Sequence, residues 1–242
     1  MTYSVTFTNA SYSYGKKPAV RDVTATIAPG TITGLLGRNG SGKSTLAMMM
    51  CGHLKARGTV LVDGDSPWEN PTIMPNAALV SDATSIFLDS KLARTHELWR
   101  ALRPHWSEDL YRELMDQWGL REKDTYSSLS RGQQSAFTAA LGLASRSPLT
   151  IFDEVHLGMD VVVRHEFYDT MLAEFVNHPR TIVLSSHLVG EIENLVSDVL
   201  ILDRGTVAAA GAADDVRAAH GTDGTHASLT DVLISLTGRT KK

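Results

Sequence analysis

Hydrophobic and polar residues alternate with a period of two in the first part of the chain. Residues 3–8 and 20–27 show this alternation, which predicts half-buried strands. A turn after the second stretch leads into an apolar run over residues 31–36, and two shorter runs follow at residues 58–62 and 77–80. We therefore predict antiparallel strands together with more deeply buried ones.

The spacing of apolar residues becomes helical after residue 90. Residues 91–102 and 107–118 repeat apolar positions at three- and four-residue intervals, which predicts two amphipathic helices. A third helix is expected to begin at Ser130, because Gln133 follows at the spacing of a capping box. This part of the chain is therefore predicted to be helical.

The last part of the chain returns to short apolar runs separated by helical stretches, which is typical of a parallel sheet. These runs cover residues 149–152, 181–185 and 199–202. The Ala-, Gly- and Asp-rich residues 209–226 resemble a surface segment, and residues 227–236 predict a short amphipathic helix.

Composition narrows the class of protein. The chain has 242 residues, 43% of them hydrophobic, and a net charge of −4, so it has enough apolar residues for a core and no basic surplus. We expect no nucleic-acid partner. The single cysteine, Cys51, excludes an intramolecular disulfide, and no apolar run approaches the length needed to span a bilayer. With no leader pattern at the N-terminus, we expect a soluble, cytosolic protein.

A phosphate-binding loop of the form G-x-x-x-x-G-K-[ST] begins at residue 37. Its glycines allow backbone N–H groups to turn inward around phosphate oxygens. Lys43 brings a positive charge to the outer phosphates, and Ser44 brings a hydroxyl group for Mg²⁺. A helix predicted from Thr45 to Leu54 would direct its N-terminus at the nucleotide. The residues assigned to nucleotide binding here are Gly37, Arg38, Asn39, Gly40, Ser41, Gly42, Lys43, Ser44 and Thr45.

With this loop between a strand and a helix, the fold class is predicted to be α/β. We expect a P-loop NTPase core with a mainly parallel sheet and an antiparallel β subdomain, together with an inserted helical subdomain. The core is assigned to residues 1–84 and 148–242, and the helical subdomain to residues 85–147.

A second candidate site lies where the apolar run at residues 149–152 ends in Asp153 and Glu154. An aspartate at the carboxyl end of such a strand can hold Mg²⁺ through water. The next acid, Glu154, can accept a proton from the water that attacks the γ-phosphate. We assign Asp153 to the metal and Glu154 to catalysis.

The segment Leu129-Ser130-Arg131-Gly132-Gln133 resembles the L-S-G-G-Q signature of ATP-binding-cassette (ABC) ATPases, with Arg131 in place of the first glycine. At the start of a helix, the Ser130 hydroxyl and the Gly132 N–H can face a phosphate. The resemblance implies that this phosphate belongs to ATP held by a second subunit. It therefore assigns Ser130, Gly132 and Gln133 to nucleotide binding across a dimer.

Other positions match the same family. Tyr14 resembles the aromatic residue that stacks on adenine, although Tyr12 is an alternative. Asp160 resembles the aspartate that links the two active sites, and His187 resembles the histidine that contacts the γ-phosphate. The family match implies that each site combines Lys43, Ser44, Asp153, Glu154 and His187 of one chain with Ser130 and Gly132 of the other.

The main departure from the family is at Asp82, which stands where many members have a glutamine. A carboxylate there could bind Mg²⁺ or orient water, whereas the alternative is a Ser-Asp pair that only forms a turn. Val155 also replaces the usual proline, but this change removes no catalytic group.

The resemblance implies an ATPase, with ATP and Mg²⁺, that powers a transmembrane permease subunit from the cytoplasmic face of the membrane. Residues 102–108 and 228–233 are similar to those of bacterial ABC-2-type exporter ATPases. Three alternatives remain: a non-transport ABC ATPase acting on a soluble or nucleic-acid partner, a GTPase or P-loop kinase, and a binding module without turnover. The second would need a guanine-reading N-K-x-D, which the sequence lacks.

Overall fold

The structure, a computed structural model, describes residues 1–81, 86–221 and 226–238. The chain forms two compact units. We call residues 2–74 and 181–242 the loop unit, and Met1 with residues 75–180 the helical unit. The predicted helical subdomain, residues 85–147, falls inside the helical unit, and its limits stay a prediction.

A three-stranded antiparallel sheet forms one part of the loop unit. It contains β1 (Val5–Tyr14), β2 (Lys17–Ile27) and β4 (Arg57–Val62), in the order β2-β1-β4. Both β1 and β2 are longer than the alternating pattern predicts. The register between them shifts at several positions, and Asn9 and Asp22 have positive φ angles of 49° and 46°. Such bulges reverse the faces of a strand, so the alternation is lost beyond residues 3–8 and 20–27.

The second sheet of the loop unit carries the predicted buried strands. β3 (Ile32–Gly37) lies between β7 (Thr181–Ser186) and β8 (Asp198–Asp203) and is parallel to both, while β9 (Thr206–Ala212) is antiparallel to β8. All six residues of β3 and all six of β7 are buried. Their continuous apolar runs are typical of strands covered on both faces.

The α-helices formed by the described residues of the loop unit are α1 (Lys43–Met50), α6 (Val189–Ile192), α7 (Ala213–Ala219) and α8 (Leu229–Thr237). The predicted end of α1, at Leu54, is wrong because Gly52 has a φ of 72° and closes the helix. The segment predicted as irregular surface, residues 209–226, begins with the end of β9 and with α7. Pairing with β8 makes an alanine-rich stretch a strand, which local composition does not reveal.

In the helical unit, the described residues form two parallel strands and four α-helices. The strands are β5 (Ala77–Val80) and β6 (Leu149–Asp153), and the helices are α2 (Leu92–Leu102), α3 (Glu108–Gln117), α4 (Arg131–Ala144) and α5 (Val161–Asn177). Gly142 allows α4 to lie directly against β6, since a Cβ there would be 2.7 Å from the Phe152 ring. Trp99 and Trp118 are buried core residues, as expected of apolar residues at helical spacing.

Arg146, Glu174 and Arg180 form a largely buried charge cluster in the helical unit. Glu174 of α5 accepts two hydrogen bonds from Arg146, at 2.9 and 3.0 Å, and lies 3.7 Å from the Nη1 atom of Arg180. The pKa of the Arg180 guanidinium is lowered to about 10, mainly because the group is buried. The negative charge of Glu174 raises this pKa, and the positive charge of Arg146 lowers it further. Arg180 is therefore charged at neutral pH.

The architecture confirms the predicted fold class. It is an α/β structure with mainly parallel strands, a separate antiparallel sheet and a helical region. In residues 1–81, 86–221 and 226–238, no helix is both long enough and apolar enough to cross a bilayer.

Candidate nucleotide-binding site

The predicted phosphate loop joins β3 to α1. Lys43, the first residue of α1, turns its side chain back over the loop, where Nζ donates a hydrogen bond to the carbonyl oxygen of Gly37 at 2.9 Å. Only 6% of Lys43 is exposed. The loop therefore encloses a cation, which suits an anionic ligand such as a phosphate group.

Steric contacts require the glycines at both ends of the loop. Gly37 has a φ of 152° and Gly42 a φ of 107°, in the region that favours glycine. A Cβ at Gly37 would lie 2.5 Å from the carbonyl oxygen of Leu202, and one at Gly42 would lie 2.6 Å from that of Ala19. No other residue fits these positions without moving the backbone of a neighbouring strand.

The start of α1 is open to an anion. Its first turn contains no acidic residue that would compete for the backbone N–H groups or for the partial positive charge of the helix. Ser44 is exposed there, whereas Thr45 is buried. The buried Oγ of Ser41 has no hydrogen-bond partner among the described residues, so the loop still has hydrogen-bonding capacity. Arg38, Asn39 and Gly40 are exposed at its tip.

His187 lies at the same edge of the sheet as the loop. Leu36 of β3 is paired with Ser186 of β7, so Gly37 and His187 follow neighbouring residues on adjacent parallel strands. His187 is exposed. The fold thus brings the start of the phosphate loop and His187 together, although 150 residues separate them in the sequence. Ligands of open α/β sheets bind at the carboxyl ends of the parallel strands, which is where both lie.

Tyr14 ends β1 at a hairpin, where Gly15 has a φ of 60°. Its side chain is 48% exposed, and the Tyr12 ring meets it edge to face with 5.0 Å between the ring centroids. Tyr14 is the more exposed of the two candidates, and Tyr12 supports it from one side. This arrangement favours Tyr14 as the residue available for stacking.

In the helical unit, Asp153 and Glu154 follow each other at the end of β6 but differ in their surroundings. Asp153 is buried, and its Oδ1 atom has no hydrogen-bond partner among the described residues. Glu154 is half-buried and has a positive φ of 57° before a 3₁₀ turn at Val155–Gly158. A non-glycine residue in this conformation is strained, and such strain concentrates at functional sites.

The predicted signature segment forms the start of α4, as the capping-box spacing indicates. The Ser130 hydroxyl accepts a hydrogen bond from the Gln133 N–H at 3.2 Å, and the Gln133 side-chain oxygen accepts one from the Ser130 N–H at 3.1 Å. Both residues are exposed. The helix start is therefore capped by its own side chains.

The helix start lies directly against the 3₁₀ turn that follows Glu154. A Cβ at Gly132 would be 3.1 Å from the Gly158 carbonyl oxygen, and one at Gly158 would be 2.9 Å from that of Arg131. The two backbones approach this closely because both positions are glycine. Asp160, two residues later, caps α5 by accepting hydrogen bonds from the N–H groups of Val162 and Val163, at 2.9 and 3.0 Å.

The donor types present suit magnesium. Mg²⁺ prefers oxygen ligands and usually takes only one or two from the protein, with water and substrate phosphates completing its shell. The exposed Ser44 hydroxyl and the buried carboxylate oxygen of Asp153 are donors of this kind. The described residues contain no cluster of three or more His, Cys, Asp or Glu side chains that could hold a metal alone. Asp82, the third predicted metal ligand, lies outside the described residues.

Several supports of the loop could not be found from the sequence. The backbone carbonyl oxygens of Leu202 and Ala19 leave no space for a side chain at Gly37 and Gly42, respectively. The Gly205 N–H donates to the Ser41 carbonyl oxygen at 2.9 Å. Backbone atoms carry no residue-specific pattern. Only the turn signal at Gly205 is visible in the sequence, and it does not indicate a contact with residue 41.

The fold and the loop define a nucleotide-binding protein of the P-loop class. A sequence profile of the ABC transporter family matches residues 20–156, more than half of the chain. The chain therefore belongs to the ABC transporter family, whose ATP-binding subunits hydrolyse ATP and generally bind it with Mg²⁺.

Related sequences agree with this assignment, and a solved structure shares the fold. The chain is 29% identical over 185 residues to the ABC transporter ATP-binding protein YtrB of Bacillus subtilis, covering 76% of this chain and 63% of YtrB. It is 28% identical over 218 residues to the thiamine import ATP-binding protein ThiQ of Mesorhizobium japonicum, covering 87% of this chain and 85% of ThiQ. A solved ATP-binding subunit of an ABC transporter has the same fold, with a TM-score of 0.84, 24% identity and coverage of 98% of this chain and 99% of that one.

Proposed function

We propose that this chain is the ATP-hydrolysing subunit of an ABC transporter and that it powers a separate transmembrane permease. The enclosed Lys43 ammonium in a glycine-bounded loop is the observation that carries the proposal. This loop supplies a charge and backbone donors for a triphosphate. The membership of the family supports ATP as that triphosphate.

The residues divide the chemistry of hydrolysis between them. The Glu154 carboxylate accepts a proton from water as the water oxygen bonds to the γ-phosphorus and the bond to the β,γ-bridging oxygen breaks. Lys43 and the loop N–H groups stabilise the charge that develops on the departing ADP. His187 contacts the γ-phosphate, and Tyr14 stacks on adenine. When bound, Mg²⁺ would be held by Ser44 and, through water, by Asp153, and would neutralise charge on the β- and γ-phosphates.

The signature segment serves the ATP of a second copy or of a related ATP-binding subunit. The capping box uses the Ser130 hydroxyl and the Gln133 N–H, so this helix start is folded before nucleotide arrives. A preformed helix N-terminus can receive an anionic phosphate at little cost in ordering. Asp160, at the start of α5, is assigned to the link between the two active sites.

The permease would hold the chain at the cytoplasmic face of the membrane. The likeness of residues 102–108 and 228–233 to ABC-2-type exporter ATPases supports export as the direction. A relative such as ThiQ is named as an import protein, so direction needs its own test. With ATP outside, inside-out membrane vesicles that contain the complex should accumulate the transported molecule. Uptake only by right-side-out vesicles loaded with ATP would indicate an importer.

The Glu154→Gln variant tests the proposed function. The amide keeps the size of the side chain but cannot accept the proton, so kcat for ATP hydrolysis should fall roughly 10²- to 10⁴-fold while ATP binding remains. Phosphate release and small-angle scattering with saturating Mg·ATP measure the two properties. Scattering should show dimers of the variant. Glu113→Gln, at an exposed position of α3, is the matched control and should hydrolyse ATP at the normal rate.

Two results would contradict the proposal. Normal hydrolysis by Glu154→Gln would remove Glu154 from the role of base. If the wild-type protein binds ATP but releases no phosphate, either alone or with its permease, the chain is a nucleotide-binding module and not an ATPase.

A further inference from the structure

The turn between β8 and β9 contacts the back of the phosphate loop. Arg204 and Gly205 form this turn and have φ angles of 46° and 84°. Positive φ at both central residues is what a two-residue hairpin requires, and it is unfavourable for an arginine. The turn therefore adopts its conformation against the local preference of residue 204.

Arg21 of β2 holds this strained turn through three hydrogen bonds. Its backbone N–H donates to the Gly205 carbonyl oxygen at 2.7 Å. Its guanidinium donates from Nε and Nη2 to the Arg204 carbonyl oxygen, at 3.2 and 2.7 Å. The side-chain bonds connect residues 183 positions apart in the sequence. Hydrogen bonds from a charged donor are stronger than those between neutral groups.

The Arg204–Gly205 turn also forms a hydrogen bond with the phosphate loop. The Gly205 N–H donates to the Ser41 carbonyl oxygen at 2.9 Å. On the other side, the Ala19 carbonyl oxygen approaches both Gly42 of the loop and Gly205 of the turn, and a Cβ at either glycine would be 2.6 Å from it. Residues 19–21 therefore contact the loop directly and also through the turn.

We propose that Arg21 is a positioning residue for nucleotide binding, because it fixes the Arg204–Gly205 turn against Ser41. This inference rests on the proposed function, since it concerns the same phosphate loop. Without the guanidinium, the turn can relax from its positive-φ conformation. The Ser41 carbonyl oxygen then loses its donor, and the backbone of the phosphate loop loses this point of support.

Nucleotide affinity and turnover of the full-length Arg21→Ala and Arg21→Lys variants test the proposal. The loss of a charged donor should raise the Kd for a fluorescent ADP analogue, and the KM for Mg·ATP, about tenfold in Arg21→Ala. At saturating ATP, kcat should stay near the wild-type value, because Arg21 touches neither substrate nor base. The lysine can donate one hydrogen bond to the Arg204 carbonyl, so Arg21→Lys should recover part of the affinity.

Arg57→Ala removes an exposed arginine from β4 of the same antiparallel sheet and should leave the Kd unchanged. Two results would overturn the role of Arg21: an unchanged Kd in Arg21→Ala, or a fall in thermal stability with an unchanged KM. A Kd that rises equally in Arg21→Ala and Arg57→Ala would indicate a general effect of charge and would also overturn it. If the wild-type protein binds no nucleotide, the proposed function fails together with this inference.

Discussion

The phosphate loop and the start of α4 are both candidates for binding a triphosphate, yet they are stabilised in different ways. The loop is enclosed: Lys43 is buried, and backbone groups of other strands hold it from behind. The start of α4 is exposed on the side of Ser130 and Gln133, and these two residues cap it. The loop thus depends on distant parts of its unit, and the helix start depends largely on its own sequence.

This difference indicates what each region contributes. A loop with fixed N–H groups and a fixed cation binds phosphate with little reorganisation, and substitutions within it should affect binding first. An exposed helix start that is capped by its own side chains remains accessible to a ligand, which we propose is the ATP of another subunit. Substitutions there should preserve the fold and impair the dimeric reaction.

Lys43→Ala should have the largest effect of the substitutions considered next. It removes the buried ammonium group of the loop and its hydrogen bond to Gly37, so kcat for ATP hydrolysis should fall roughly 10²- to 10³-fold, with weaker ATP binding. Phosphate-release kinetics and nucleotide titration measure both changes. Lys55→Ala, at an exposed position beyond α1, should behave as wild type. Unimpaired hydrolysis in Lys43→Ala would mean that the loop is not the catalytic phosphate site.

Gly158→Ala tests how far the start of α4 depends on its close contact with the 3₁₀ turn at Val155–Gly158. Its methyl group would be 2.9 Å from the Arg131 carbonyl oxygen, so α4 or the 3₁₀ turn must move. We expect a loss of about 1–3 kcal/mol in the free energy of unfolding, as in other overpacked sites, and slower hydrolysis. Denaturant unfolding and the ATPase rate would be compared with Gly190→Ala, where the nearest atom, Thr230 Oγ1, is 3.7 Å away. Equal stability of the two variants would contradict the close backbone contact.

The smallest effect concerns a charge cluster in the helical unit, and it depends on pH. Burial alone would raise the pKa of Glu108, but hydrogen bonds from Trp106 and His96, with the charges of His96 and Arg112, hold it below its ordinary value. The ionised form is therefore favoured by folding. Its contribution is complete above the ordinary glutamate pKa of about 4.3 and is lost as the pH falls through the lower folded value.

Glu108→Gln should therefore lower the free energy of unfolding by about 1 kcal/mol at pH 7, and the difference from wild type should shrink as the pH falls below about 4. Urea unfolding across this pH range measures the change. Glu113→Gln, on the exposed face of the same helix, should show no such dependence. A difference that is constant with pH would mean that the ionisation of Glu108 does not contribute to stability.

Much of the α/β core follows from short-range patterns. Continuous apolar runs predicted β3, β5, β6, β7 and β8 within one or two residues of their observed ends. The capping-box spacing placed the start of α4, and the glycine spacing placed the phosphate loop. These features depend on neighbours within a few positions along the chain, so the local sequence is sufficient to specify them.

Other features depend on residues that are distant in the sequence. The bulges of β1 and β2, the end of β9 and the end of α1 differ from the predictions because pairing partners and a glycine turn override local preference. The sequence favoured Tyr14 and left Tyr12 as an alternative, and the structure shows that Tyr14, at the hairpin, is the more exposed of the two.

The sequence by itself determined which residues are candidates for the chemistry: the glycines and Lys43 of the loop, the acid pair after β6 and the capped start of α4. Only the tertiary structure decided how the loop is supported, through Arg21, Gly205 and the carbonyl oxygen of Ala19. The physical reason is that side-chain chemistry is readable residue by residue. A backbone contact between strands, by contrast, has no sequence pattern and exists only after the strands have paired.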